Sequence, residues 1–133
     1  MATQSENCIL LAEDNLFNQK VTVAMLKKLG LVTEVASNGL EVLEKVSQKS
    51  YALILMDCEM PKMNGFEATN QIRAREQSNG QHIPIIAMTA HSSQEDRESC
   101  FNAGMDDYIS KPFKIEDLQA VLMHWQLILK ADS

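Results

Sequence analysis

Five polar side chains, each placed at or just after the end of a short apolar run, are the residues of this sequence best suited to chemistry. They are Glu13, Asp14, Asp57, Thr89 and Lys111. Three carboxylates held close together repel each other unless a cation joins them, and Mg²⁺ prefers oxygen ligands such as carboxylates. Lys111 adds positive charge and Thr89 a hydroxyl donor, a combination that suits a phosphoryl group. We therefore predict Mg²⁺-dependent phosphoryl transfer onto Asp57, which forms an acyl phosphate.

The stretch around Asp57 contains the strongest local signals. Residues 51–56 are apolar without alternation, which favours a strand covered on both faces. Pro61 bends the chain, and Asn64 with Glu67 forms a capping box that predicts a helix start. Alone, Asp57 fits equally well as a loop aspartate that caps a turn. Its place at the carboxyl end of a buried strand, where open α/β sheets bind ligands, favours a functional site.

Five rounds of strand followed by helix are predicted to position these side chains. The strands are expected at about 8–12, 31–36, 51–57, 83–88 and 108–109, and the helices at about 16–29, 39–49, 65–76, 93–104 and 115–129. Asn38 with Glu41, and Ser92 with Glu95, are expected to cap the second and fourth helices. This alternation predicts an α/β fold, a single doubly wound five-stranded parallel sheet with five helices. The expected domain spans 7–130, with tails at 1–6 and 131–133.

Composition narrows the function classes. The chain has 133 residues, 45% of them hydrophobic and 23% charged, as in one ordinary globular domain. No apolar run approaches the ~20 residues of a membrane span, and the polar N-terminus does not resemble a signal peptide. The net charge of −6 argues against direct nucleic-acid binding. We expect a cytoplasmic protein with three reduced cysteines, of which Cys58 could be solvent-accessible.

Four motifs, in this order and spacing, resemble the receiver domain of two-component response regulators. They are Leu11-Ala12-Glu13-Asp14-Asn15, Leu55 to Pro61 followed by Gly65, Met88-Thr89-Ala90 and Lys111-Pro112-Phe113. Two further stretches, 15–18 and 104–108, are most similar to receivers attached to hybrid histidine kinases. The resemblance covers about residues 7–130 and implies a flavodoxin-like receiver fold and a phosphorelay signalling function.

The resemblance also implies roles for the matching acidic residues. Asp57 would take the phosphoryl group from a phosphohistidine of a histidine kinase or a histidine phosphotransfer protein. Asp14 would ligate Mg²⁺ directly and Glu13 mostly through water, with the backbone carbonyl of Glu59 as a further ligand. Many relatives carry Asp where this chain has Glu13, and the longer side chain would shift the water shell of the metal.

Other matching residues would sense the phosphoryl group. Lys111 would contact it, and its bond to Pro112 would be cis. Thr89 and Tyr108 would move as a switch and reshape the face formed by the fourth helix, fifth strand and fifth helix. Glu59 and His91, at the rim of the pocket, would tune the lifetime of the acyl phosphate.

The first helix is predicted to carry the donor-docking surface. At 100° per residue, Val21, Met25 and Leu29 share one side and are expected to face the sheet. Leu16 and Val23 then fall nearly opposite, close to Asp14, and we predict that they dock the protein that carries the phosphohistidine.

Two other functions stay open at this stage. A Mg²⁺-dependent phosphohydrolase with an aspartyl nucleophile would need a second acid two residues later, and Glu59 has that spacing, although no cap domain or substrate cleft is evident. A receiver-like docking module is the other alternative. Under the leading hypothesis the protein is no enzyme beyond assisting its own phosphorylation and slow dephosphorylation, and it is a monomer or a weak phosphorylation-dependent dimer.

Overall fold

Five strands alternate with five helices in the computed structural model, which describes residues 8–90 and 93–125. The strands are β1 (Cys8–Ala12), β2 (Val32–Ala36), β3 (Leu53–Asp57), β4 (Ile85–Thr89) and β5 (Asp107–Ser110). The helices are α1 (Leu16–Lys28), α2 (Gly39–Gln48), α3 (Gly65–Asn79), α4 (Gln94–Ala103) and α5 (Ile115–His124). The predicted order is confirmed. The predicted tails, His91 and the last residues expected in the fifth helix lie outside the described residues.

The strands form one parallel sheet in the order β2-β1-β3-β4-β5. Every residue of β1, β3 and β4 is buried, which explains why these three runs are apolar without alternation. Their carboxyl ends lie level, since Ala12 pairs with Met56, Asp57 with Met88, and Thr89 with Ser110. The predicted doubly wound fold is confirmed, and the polar residues that follow these strands share one edge of the sheet.

Two apolar clusters fill the spaces above and below the sheet. Alternate residues of the strands belong to opposite clusters, as the two-residue period of a strand requires. The cluster containing Leu10 and Ile54 packs against α2, α3 and α4, and the cluster containing Leu11 and Leu55 packs against α1 and α5. Helices therefore cover both faces, and the edge with the polar residues is left open for a ligand.

The helix starts follow the capping residues. Asn15 accepts a hydrogen bond from Asn18 N at 2.9 Å, and the predicted capping box of Asn64 with Glu67 is confirmed. The predicted cap of α4 is wrong by one residue. Ser93, not Ser92, is the cap, and it accepts a hydrogen bond from the backbone of Asp96 at 3.2 Å.

The end of α3 lies further along the chain than predicted. The helix continues past Glu76 to Asn79 and ends on Gly80, whose φ of 72° is left-handed. Residues 77–79 therefore form the last turn of this helix and Gly80 its C-cap.

The buried face of α1 is also different from the predicted one. Thr22 and Leu26 are buried, whereas Val21 is 37% exposed and Val23 packs against the core. The prediction that Val21 faces the sheet and Val23 lies opposite it is therefore wrong. The hydrophobic pattern does not show the buried face of α1, because a threonine, Thr22, occupies a core position on this helix.

Candidate functional site

Three acidic residues meet at the carboxyl edge of the sheet. One carboxylate oxygen from each of Glu13, Asp14 and Asp57 lies within 4.8 Å of the other two. Glu13 and Asp57 are only 2% and 7% exposed, while Asp14 is exposed to solvent. All three residues line a cleft of about 180 Å³. The strand ends thus bring together the acidic residues that the sequence predicted would meet.

Lys111 neutralises part of this charge. Its Nζ lies 3.0 Å from Glu13 Oε1 and 3.1 Å from Asp57 Oδ2. The backbone N–H of Lys111 donates to the carbonyl of Thr89 at 2.8 Å, and the Lys111–Pro112 peptide bond is cis, as the resemblance implied. Burial disfavours the ammonium, but the hydrogen bonds and charges of Glu13 and Asp57 outweigh it and raise the pKa of Lys111. The lysine is therefore held as a cation against both buried carboxylates.

The groups around the Asp57 carboxylate shift its pKa in opposite directions. Burial raises its pKa to about 6, although the Glu59 N–H, which donates to Oδ1 at 3.2 Å, and the charge of Lys111 both lower it. The neighbouring Glu13 raises the pKa further. The hydrogen bond and the charge of Lys111 do not fully offset the cost of burying the ionised carboxylate. A bound cation would therefore stabilise this ionised form.

Glu13 is held at several atoms. Its N–H donates to Ala36 O at 2.9 Å, Asn15 N donates to Oε2 at 3.1 Å, and Lys111 contacts Oε1. The Gln19 side chain donates to the Glu13 carbonyl at 2.6 Å, a contact that the sequence analysis missed. Glu13 is therefore a counter-ion of Lys111 as well as a candidate metal ligand.

The start of α3 packs tightly against the end of β3. A Cβ on Gly65 would lie 2.3 Å from the carbonyl oxygen of Asp57, and Gly65 N donates to Cys58 O at 3.1 Å. Glu59 is exposed at the cleft, and the ligand role of its backbone carbonyl stays a prediction. Cys58 is buried with its Sγ 3.9 Å from Cys100 Sγ, so the expectation that it could be solvent-accessible is wrong.

The predicted switch residues lie on neighbouring strands. Thr89 is 7% exposed and lines the cleft, whereas Tyr108 is half-buried on β5 beside α4. The Tyr108 ring meets the Phe101 ring edge-on at 6.4 Å, and the guanidinium carbon of Arg97 lies 5.2 Å from its centroid. Their movement stays a prediction, as does the role of His91, which lies outside the described residues.

An apolar groove of about 400 Å³ adjoins the cleft between α1 and the loop after β5. Its apolar lining includes Phe17, Val21, Met25, Pro112 and Phe113. Of the two predicted docking residues, Leu16 is 69% exposed on α1, but Val23 packs against the core. The residue that accompanies Leu16 on the surface is Phe17, which is 73% exposed.

Comparison of the sequence with known proteins finds a matching family model and similar curated proteins. The family model for the response regulator receiver domain matches residues 9–123. The hybrid signal transduction protein dokA of Dictyostelium discoideum is 47% identical over 123 residues, which are 92% of this chain and 7% of that protein. The chain thus spans only a small part of the curated relatives it matches.

Solved structures share the fold. The receiver domain of sensor histidine kinase PA1611 from Pseudomonas aeruginosa PAO1, with a magnesium ion coordinated in its active site cleft, is 46% identical. Its TM-score is 0.81, and the match covers 90% of this chain and 96% of that one. A chain in the co-crystal structure of Saccharomyces cerevisiae Ypd1, a histidine phosphotransfer signaling protein, with the receiver domain of Ssk1 is 32% identical. There the TM-score is 0.84 and the coverage 89% and 87%. None of the helices in the described ranges has the length and apolar character needed to cross a membrane.

Proposed function

Because this chain belongs to the response regulator receiver domain family, we propose that Asp57 accepts a phosphoryl group from a phosphohistidine in a Mg²⁺-dependent reaction. The observation that carries this proposal is the convergence of Glu13, Asp14 and Asp57 within 4.8 Å, with Lys111 bonded to two of them. Two buried acidic residues beside an exposed one, with the charge of Asp57 only partly offset, contribute little to stability, but they suit a phosphoryl group and its cation.

The donor set fits a magnesium ion. Hard divalent cations take carboxylate, carbonyl and water oxygens, and an exposed Asp14 beside a buried Asp57 leaves room for retained waters. Asp14 and Asp57 would hold the ion directly, Glu13 through water, and the backbone carbonyl of Glu59 would complete the protein ligands. When bound, Mg²⁺ supplies charge neutralisation for the phosphoryl oxygens.

The transfer itself is an in-line displacement. A carboxylate oxygen of Asp57 attacks the phosphorus, the P–N bond to the donor histidine breaks, and its electron pair stays on the imidazole nitrogen. Lys111 then exchanges part of its contact with Asp57 for a phosphoryl oxygen, and Thr89, already in the cleft, donates its hydroxyl hydrogen bond. Tyr108 follows as the second part of the switch, and Glu59 and His91 tune the lifetime of the acyl phosphate.

The donor is a histidine kinase or a histidine phosphotransfer protein. The pairing of Ypd1 with a structurally similar receiver supports such a partner. Leu16 supports donor docking by its exposure, and Phe17 replaces Val23 as its companion. The protein acts as a phosphoacceptor rather than a turnover enzyme, and we expect it to be cytoplasmic, because its three free thiols suit a reducing compartment. We also propose that the protein is a monomer or a weak phosphorylation-dependent dimer.

Labelling with acetyl phosphate tests the proposal without any partner protein. Wild-type protein with Mg²⁺ should gain one phosphoryl group by intact-mass measurement, and EDTA or Asp57→Asn should abolish the gain. Asp117→Asn, at an exposed acid of α5, is the matched control and should label normally. Equal labelling of wild type and Asp57→Asn would refute the assignment. Steady turnover of a phosphomonoester would instead support the phosphohydrolase alternative.

A further inference from the structure

The side chain of Gln19 contacts the backbone of the acidic cluster from one turn into α1. Its Nε2 donates to the carbonyl oxygen of Glu13 at 2.6 Å, and the residue is half-buried. A helical glutamine on an exposed surface would ordinarily point into water. This one is directed back over the start of its own helix, to the peptide group that joins two of the three acidic residues.

Capping of α1 does not require this contact. Asn15 already caps the helix through the N–H of Asn18 at 2.9 Å, and the N–H of Gln19 makes an ordinary helical bond to the carbonyl of Asn15. The Gln19 amide instead binds a carbonyl that lies before the helix, in the turn between β1 and α1. Its effect therefore falls on the turn, and on Asp14 in particular.

The Glu13–Asp14 peptide is the point where the acidic cluster changes from buried to exposed. Glu13 itself is restrained by the bond from its N–H to Ala36 O, by Asn15 N and by Lys111. Asp14 is exposed. The orientation of the preceding peptide plane sets the direction in which the Asp14 carboxylate leaves the chain. Gln19 holds that plane by its carbonyl oxygen.

We propose that Gln19 is a positioning residue for the divalent-cation site, acting through the Glu13–Asp14 peptide. This inference rests on the proposed function, since it requires that Asp14 and Asp57 share a cation. A side chain that orients ligands in this way is comparable with outer-shell partners of metal sites, whose loss typically costs about 10–100-fold in metal affinity.

Gln19→Met tests the inference, because methionine keeps the length and the helix propensity of glutamine but has no N–H donor. The matched control is Gln71→Met, the same substitution at an exposed position of α3. Two quantities are measured for both variants: the Kd for Mg²⁺ by isothermal titration calorimetry, and the urea midpoint in EDTA. A third measurement is the Mg²⁺ concentration that gives half-maximal labelling by acetyl phosphate.

Gln19→Met should raise the Kd for Mg²⁺ about tenfold or more, with a urea midpoint close to that of Gln71→Met. Labelling should need correspondingly more Mg²⁺ yet approach the wild-type rate at saturation, since Asp57 and Lys111 are intact. A Kd within twofold of wild type would overturn the inference, and so would a fall in the urea midpoint that accounts for the whole loss. If wild-type protein itself neither binds Mg²⁺ nor labels, the proposed function fails instead.

Discussion

The burial of the Asp57 carboxyl group makes the stability of the folded protein depend on pH. Burial raises its pKa from 3.8 to about 6, and a folded-state pKa above the unfolded value means that the folded protein binds this proton more tightly. The stability contributed by the protonated form is complete below the unfolded pKa and is lost as the pH rises through about 6. At neutral pH, without a cation, the ionised carboxylate therefore costs stability.

Asp57→Asn should accordingly stabilise the protein in EDTA at pH 7. Two pKa units correspond to about 3 kcal/mol, so we expect the free energy of unfolding to increase by about 1–3 kcal/mol. The gain should shrink as the pH falls toward 4, where the wild-type carboxyl is protonated as well. Urea unfolding curves across this pH range measure the effect, with Glu44→Gln on the exposed face of α2 as the control. A variant that is less stable than wild type at pH 7 would contradict the argument.

The two cysteines nearest the site should be poor nucleophiles. Burial raises the pKa of both Cys58 and Cys100, and the two thiols lie 3.9 Å apart inside the core that packs against α4. The thiolate is the reactive species, so the folded protein should react slowly with Ellman's reagent at pH 8 and rapidly once unfolded in guanidinium. Cys58→Ala and Cys100→Ala identify the contribution of each thiol. Rapid modification of Cys58 in the folded protein would show that the loop after β3 opens readily.

At the scale of elements, the features that sequence can predict are those set by near neighbours. The capping side chains Asn15 and Asn38 accept hydrogen bonds from residues three positions later, so their pattern is visible in the sequence. The acidic cluster was predictable as well, because parallel strands end at a common edge. The pairing of Lys111 with Glu13 and the contact of Gln19 were not, since both depend on loop paths that no local pattern encodes.

The buried face of α1 was mispredicted for a physical reason. The apolar residues of this helix are spread around its axis rather than gathered in one stripe, so Thr22 could replace one of them at the core without leaving a trace in the hydrophobic pattern. A helix with apolar residues on two sides can pack one side on the core and present the other to a partner. Here one side packs on the sheet, and the other stays exposed beside the cleft.

The first residue of α3 packs against the end of β3, and substituting it tests whether this contact positions Asp57. Gly65→Ala would place a methyl group 2.3 Å from the Asp57 carbonyl oxygen and 2.9 Å from Met56 Cγ, so the backbone of the proposed phosphoacceptor must shift. We expect a stability loss of about 1–3 kcal/mol, typical of overpacking, together with slower labelling by acetyl phosphate.

Gly80→Ala is the matched control, because its added methyl meets no atom within 4 Å but its φ of 72° still disfavours alanine. This variant should lose stability, measured by urea unfolding, and keep the wild-type labelling rate. If Gly65→Ala labels as fast as Gly80→Ala at equal stability, the contact between the start of α3 and the end of β3 does not position Asp57.

At the scale of the molecule, the side formed by α3 and the turn before β5 differs from the side formed by α1. Arg73 of α3 donates to the Gly104 carbonyl at 2.8 Å, to Asp106 at 2.6 Å and to Glu76 at 2.6 Å, and Asp106 also accepts from Ile85 N. This network binds α3 to the turn that leads into β5, next to the predicted switch residue Tyr108. The side of the molecule formed by α1 has instead exposed apolar residues and an open groove.

From this asymmetry we propose that the donor protein and the downstream partner bind separate surfaces. Leu16 and Phe17 are 69% and 73% exposed at the start of α1, and Phe17 lines the groove that adjoins Lys111 and Pro112. A protein donor that docks here would present its phosphohistidine to the cleft, and the face around α4 and β5 would stay free to change. Small phosphodonors need no such contact.

The last prediction follows from this difference between donors. The double substitution Leu16→Glu with Phe17→Glu should slow transfer from a phosphorylated histidine phosphotransfer protein at least about tenfold, as expected when interface anchors are lost. Labelling by acetyl phosphate should stay close to wild type, because both side chains are exposed and neither supplies a carboxylate or an ammonium group to the reaction. Val32→Glu is the control, since Val32 is 62% exposed at the amino end of β2, whereas the cleft lies at the carboxyl ends of the strands. It should leave both reactions unchanged. Loss of both reactions in the double variant would indicate a role in folding, and loss of neither would place the donor on another surface.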